Sequence, residues 1–265
     1  MPTISVSNIQ LYFAQHGEGE PLILIPGFAA GRWIWFKQIV PLSSQFRVIS
    51  FDPRGVGQSQ FDSEPVTIQR LADDVAALLR GLGIDCAHIL GASFGGFLAQ
   101  EFALAYPEMT RTLSLCCTSF GGPNHVAPSM ETLVALASIN GFNTEERIRR
   151  SLLPAFSPAF AREHSNEIEE IVRLRLESPV IEEAYRAQLS AAVGFNAESR
   201  VKAIQAPTVV LSGDADAVVP AQNSRNLVAK IPGAQLSIIE GGSHLFFIEQ
   251  PDDFNQLVIE FLKKH

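Results

Sequence analysis

Gly91-Ala92-Ser93-Phe94-Gly95-Gly96 is the stretch from which the rest of the chain is read. It has the form G-x-S-x-G. An apolar run of strand length, Ala87-His88-Ile89-Leu90, precedes it, and residues 97–106 read as a helix stopped by Pro107. Ser93 therefore sits where a strand turns sharply into a helix. Such a turn imposes strained backbone angles on the serine and brings strand and helix close together. Glycines two positions either side remove the Cβ atoms that would collide. The hydroxyl is lifted out of the fold at a helix N-terminus, whose dipole favours negative charge. Those are the requirements of a nucleophilic serine.

Working outward, the chain has 265 residues, of which 46% are hydrophobic and 18% charged, enough for one large α/β domain with a sizeable core. The net charge of −8 and the lack of a basic stripe argue against nucleic-acid binding. No apolar run reaches membrane-spanning length, and the start, Met1-Pro2-Thr3-Ile4-Ser5, carries no secretory pattern. The cysteines are Cys86, Cys116 and Cys117, an odd number with two adjacent on an apolar segment. They read as reduced, buried thiols of a cytoplasmic protein. The partner expected is a small molecule, and a homodimer is allowed.

Residues 4–15 alternate in polarity before the turn at His16-Gly17-Glu18-Gly19, as in an antiparallel edge pair. Leu22-Ile23-Leu24-Ile25 is a strand apolar on both faces, ending at Pro26-Gly27-Phe28, where the glycine lets the Phe28 N–H point across the sheet edge. Trp33 opens a short helix expected to end before Pro41. A strand at 46–51 leads into Asp52-Pro53-Arg54-Gly55-Val56-Gly57-Gln58-Ser59, whose Asp52 reads as a structural carboxylate. Thr67 caps a helix over 68–82, and Arg111 to Cys117 form the next strand. Strand and helix alternate, so the sheet is mostly parallel, eight-stranded and covered on both faces. Its sites lie beyond the carboxyl ends of the strands. The alternation lapses over 121–200, where helices are expected at 129–140, 144–152, 158–176 and 179–193, and resumes at Pro207. The core is therefore 1–120 with 201–265, and 121–200 is an inserted helical cap.

A serine nucleophile needs a base, and the base an orienting carboxylate. Of six histidines, His265 is terminal, His88 lies within a strand, and His16, His125 and His164 lie in a turn or the insert. His244 follows a strand end and the Gly241-Gly242 pair, so it is the candidate base. Asp214 and Asp216 both lie on the preceding strand-end loop. Asp216, deeper in the loop, is the favoured acid, and Asp214 is assigned to holding the turn. No histidine and carboxylate group has metal-ligand spacing, and no cofactor is implied.

These segments resemble the α/β-hydrolase fold superfamily over nearly the whole length, and most of all small carboxylesterases and 3-oxoadipate enol-lactonase-type hydrolases. The resemblance rests on Leu24-Ile25-Pro26-Gly27-Phe28, the Asp52–Ser59 loop, the Ser93 elbow, Gly213-Asp214-Ala215-Asp216 and Gly241-Gly242-Ser243-His244. It implies that the Phe28 and Phe94 amides form an oxyanion hole and that the insert is a lid over the acyl pocket. Many relatives carry His-Gly where this chain has Pro26-Gly27. The implied activity is hydrolysis of small to medium acyl or aryl esters, or lactones, through an acyl-enzyme on Ser93. The same residues also serve a C–C bond hydrolase of vinylogous diketones or a cofactor-free perhydrolase or haloperoxidase, and the fold alone admits a ligand-binding protein. Trp33, Phe120, Phe142 and Phe246 are the aromatic candidates for the substrate pocket.

Overall fold

In the computed structural model, which describes residues 2–137 and 144–265, the apolar runs become the strands of one sheet. In chain order these are β1 (Thr3–Val6), β2 (Ile9–His16), β3 (Pro21–Ile25), β4 (Arg47–Phe51), β5 (Ala87–Ala92), β6 (Thr110–Cys116), β7 (Thr208–Gly213) and β8 (Gln235–Ile239). The eight-stranded sheet has the order β1-β2-β4-β3-β5-β6-β7-β8. Only β2 runs against its neighbours β1 and β4; the other pairs are parallel. Ile23 of β3 lies in register with Ile49 of β4 and Ile89 of β5. All three are fully buried, as strands covered on both faces require.

The chain goes from β3 to β4 on one side and returns to β5 on the other. That reversal opens a crevice beyond the ends of β3 and β5, where the connecting loops diverge. The Pro26-Gly27-Phe28 loop and the Ser93 turn are those two strand ends.

Helices cover both faces. The helix Ile68–Gly81 starts as its sequence predicts, with the Thr67 hydroxyl accepting from the Arg70 N–H at 3.1 Å. Leu71, Val75, Leu78 and Leu79 are buried in the core cluster that also holds Ile23, Ile89 and Phe102. The opposite face is packed by a second cluster around Trp35, Phe247 and Phe254. No described helix is long and apolar enough to cross a membrane.

Arg54 ties the loop after β4 to the helix behind it. Its side chain is fully buried; Nε and Nη2 form a fork with Asp74 at 2.7 and 2.6 Å, and Nη1 meets Asp62 at 3.2 Å. Asp62 has a second cation in Arg70, at 2.6 Å. Among the described residues Arg54 is the only cation hydrogen-bonded to Asp74, so Arg54→Met leaves a buried carboxylate without its bonded partner. Urea unfolding should show a loss of about 3–5 kcal/mol. An unchanged midpoint would mean that the loop is held by other contacts.

The structure corrects several expectations. The antiparallel pair expected over residues 4–15 is present as β1 and β2, turning at Ser7 (φ 53°), but β2 continues through His16, which was expected in the turn. Trp33 belongs to a 3-10 turn, Arg32–Trp35, and Pro41 lies inside the next helix, Ile39–Ser43. Pro41 is tolerated there because amides in a helix's first turn have no intrahelical acceptor. The helix expected over 158–176 is two, Pro158–Glu163 and Ser165–Glu177. They part at His164, with φ −116° and ψ 40°, whose ring stacks on Phe160 at 4.5 Å and bonds Glu167 at 2.9 Å. A short buried helix, Phe246–Glu249, follows His244.

Between β6 and β7 the described residues contribute no strand to the sheet. They form helices, among them Met130–Ala137, Thr144–Leu152 and Glu182–Gly194. Ile148, Phe156, Ile168, Ile171 and Val172 from this region join the cluster of Trp35 and Phe247. The two ends of the insert are stitched together: Gly121 bridges Asn196, the Ala197 N–H reaches the Phe120 carbonyl at 2.8 Å, and the Gly122 N–H reaches the Phe195 carbonyl at 3.0 Å.

Candidate active site

Ser93 stands between β5 and the helix Phe94–Ala105 with φ 54° and ψ −120°. A non-glycine residue held there is strained by about 1–3 kcal/mol, so its surroundings must impose it. Three glycines permit the approach. A side chain on Gly95 would strike the carbonyl oxygens of Ile25 and Pro26, and one on Gly91 would lie 2.8 Å from the Ala99 Cβ. One on Gly96 would lie 2.5 Å from the Thr118 side chain. Ser93 is fixed from both sides: its N–H donates to the Cys116 carbonyl at 2.8 Å, and its own carbonyl accepts from the Thr118 hydroxyl at 2.8 Å. The helix extends back to Phe94, three residues before the start expected from composition.

The loops after β7 and β8 are locked together. Gly213 crosses Gly242 so closely that a Cβ on Gly213 would collide with the Gly242 carbonyl, and the Ala215 N–H donates to the Gly242 carbonyl at 3.0 Å. Asp214 accepts from the Gly241 N–H at 2.7 Å, so it holds the neighbouring loop rather than its own turn. Asp216 is buried, and one carboxylate oxygen accepts from the Val218 and Val219 N–H groups, both at 2.8 Å. The other oxygen lies 2.9 Å from His244 Nδ1. His244 Nε2 lies 3.0 Å from Ser93 Oγ. Ser93 is more than a hundred positions from the other two residues, yet the three form one continuous hydrogen-bonded line. Chemically, such a line can draw a proton from the serine and hold the resulting imidazolium beside a carboxylate.

The loop after β3 lies against the elbow, with Gly27 placed so that a Cβ would meet the Ser93 Cβ at 3.5 Å. Among the described residues neither the Phe28 nor the Phe94 N–H meets a protein acceptor. The half-buried Phe28 ring is edge-on to Phe94 at 5.9 Å and to Tyr185 at 4.8 Å.

The aromatic candidates are not brought together. Trp33 lines a cleft of about 320 Å³ with Arg32, Asp52, Gln58, Leu174 and Ser178; Ser93 is not on its wall. Phe120 and Phe246 are packed in the two core clusters, 1% and 0% exposed, and leave no surface for a ligand. Both rings turn inward. Phe142 lies outside the described residues.

The remaining titratable groups have structural surroundings. Asp52 accepts from the Arg32 N–H at 2.9 Å and the Gln58 N–H at 3.2 Å, and burial raises its pKa. His88 bonds Thr112 at 2.9 Å and Glu20 at 3.2 Å, and burial lowers its pKa. His125, also lowered by burial, bonds Ser119 at 3.0 Å. Burial holds both the Cys116 and Cys117 thiols far above their ordinary range, so neither is a nucleophile. No group of described residues has the makings of a metal site.

Residues 20–251 match the family model described as alpha/beta hydrolase fold, and the chain belongs to that family. It is 32% identical to a poly(3-hydroxyalkanoate) depolymerase of Ectopseudomonas oleovorans, over 92% of this chain and 84% of that one. It is 29% identical to a 2-hydroxy-6-oxo-6-phenylhexa-2,4-dienoate hydrolase of Comamonas testosteroni, over 98% and 93%. Among solved structures, a malate-bound thermophilic esterase of Thermogutta terrifontis superposes with a TM-score of 0.82 at 30% identity, covering 99% of this chain and 96% of that one. The relatives are hydrolases, as the sequence resemblance implied.

Three residues of the insert escaped the sequence reading. Tyr185 meets Phe28, and Gln188, one turn further on, accepts from the Ala29 N–H at 2.9 Å. Arg175 is half-buried, donates to the Ser178 carbonyl at 3.3 Å, and has no carboxylate partner among the described residues. Burial holds its guanidinium down to about 10. The i, i+3 spacing of Tyr185 and Gln188 was the only signal available.

Proposed function

We propose that the protein is a serine hydrolase of carboxylic esters, and the hydrogen-bonded line Ser93–His244–Asp216 is the observation that carries the reading. Ser93 Oγ attacks the ester carbonyl while His244 Nε2 takes its proton. Asp216 holds the imidazole tautomer and stabilises the imidazolium. The Phe28 and Phe94 amides receive the oxyanion, where one donor contributes about 3 kcal/mol. His244 returns the proton to the leaving alcohol, and a water activated by the same imidazole releases the acid. The insert acts as the lid. The depolymerase and the esterase among the relatives support ester chemistry, since a poly(3-hydroxyalkanoate) is a polyester. The unpaired cysteines fit a reducing cytoplasmic setting.

A second reading, C–C bond hydrolysis of a vinylogous diketone acid, is favoured by Arg175. A half-buried guanidinium that meets the Ser178 carbonyl but no carboxylate among the described residues suits an anionic substrate, and one relative is named for a dienoate. A 4-nitrophenyl ester series from acetate to laurate, run beside a hydroxy-oxo-dienoate, separates the two. Turnover is expected to peak at short acyl chains. Cleavage of the dienoate with silence on every ester would replace the first reading by the second.

A further inference from the structure

Ala29 has a positive φ of 52°, in the middle of a tight turn closed by the Ala30 N–H on the Gly27 carbonyl at 3.2 Å. That conformation favours glycine or asparagine, so an alanine stays there only if held. The hold comes from outside the core. Gln188, 2% exposed on the helix Glu182–Gly194, accepts the Ala29 N–H through Oε1 at 2.9 Å. One turn earlier, Tyr185 packs its ring on Phe28 at 4.8 Å. One helix face thus grips two successive residues of the loop that lies against the elbow at Gly27.

The other end of the Gln188 amide is anomalous. Its Nε2 is buried and meets no partner among the described residues. A glutamine kept for stability alone would be satisfied at both ends or replaced by an apolar side chain. At the neighbouring contact this helix does the latter, packing the fully buried Ala184 on Gly55.

The geometry points to Gln188 as a positioning residue for the oxyanion loop: the inserted helices hold Ala29 in its strained conformation and so complete the hole that Phe28 contributes to. This inference rests on the serine-hydrolase reading. Gln188 touches none of the reacting atoms; it acts through Ala29 and Phe28.

The test uses the full chain with Gln188→Met, which keeps the length but loses the acceptor, and Gln188→Asn, which stays polar but falls short of Ala29. Three quantities are read: kcat and KM on 4-nitrophenyl butyrate, the rate at which a fluorophosphonate labels Ser93 by intact mass, and Tm. Both variants should lose about 10-fold or more in kcat and in labelling rate, short of the loss of a whole oxyanion donor. KM should stay within about twofold, and Tm within about 2 °C, because the Met variant also removes an orphaned polar group. Labelling and kcat equal to wild type would overturn the assignment, as would a fall that tracks lost Tm. Wild type that is labelled but cleaves no ester would remove the ester reading while the labelling ratio still decides Gln188. Wild type that resists the reagent would remove the serine reading and this inference with it.

Discussion

Ser93→Ala should lower kcat/KM for ester hydrolysis by about 10⁴–10⁶, and should abolish labelling by a fluorophosphonate. The size of the effect follows from the geometry. Ser93 Oγ is the one group at the elbow within reach of His244 Nε2, at 3.0 Å. Nearby Cys116 and Cys117 are buried and held protonated, so no substitute nucleophile exists among the described residues. The fold should hardly notice. Alanine inherits φ 54° and the backbone bonds to Cys116 and Thr118, so the strain is neither relieved nor increased. Only one hydrogen bond is lost, worth about 1 kcal/mol. Loss of turnover with an almost unchanged Tm is the expected pair of results. Turnover retained by the alanine variant would end the acyl-enzyme mechanism.

Asp216→Asn should cost about 10⁴ in kcat with the site's geometry intact. Asparagine Oδ1 can still accept the Val218 and Val219 N–H groups, each at 2.8 Å, so the loop keeps its shape. The amide nitrogen then faces His244 Nδ1, at the position now occupied by an oxygen 2.9 Å away. It donates where the carboxylate accepted. The imidazole must present a lone pair at Nδ1 and carry its hydrogen on Nε2, which can no longer take the proton of Ser93. Asp214→Asn is the control. Its one bond, from the Gly241 N–H at 2.7 Å, survives in asparagine, so the loss should stay below about 10-fold. The reverse ranking of the two variants would exchange the roles of the aspartates.

Much of this was legible in the chain itself. The elbow, the both-faces-apolar run of β3 and the Thr67 cap are local signals, in which residue type and spacing dictate backbone geometry. The structure joins Ser93, Asp216 and His244, selected from their places at strand ends. What sequence could not show was direction in three dimensions. Phe120, just beyond β6, and Phe246, on the short helix after His244, both point into the core. Arg54 is held by Asp74 and Asp62, which are distant enough in sequence to give no pairwise signal. Gln188 carries no signal in the sequence that sets it apart from the other polar residues of its helix. Its burial depends on how the insert packs on the loop after β3, which no periodicity encodes.

The stitching at Gly121–Asn196 carries a consequence for how such a protein diversifies. Where the chain leaves the sheet and where it returns are already clasped by the Phe120–Ala197 and Gly122–Phe195 bonds. Seen from the sheet, everything in between behaves as an appendage on a closed ring. Lengthening or rewriting it changes the entropy of closure only logarithmically. Ser93, Asp216 and His244, and the Phe28 and Phe94 amides, lie outside the ring. Selection can therefore exchange most of the appendage and retune what is admitted, provided that the helix face of Tyr185 and Gln188 on the loop after β3 is kept.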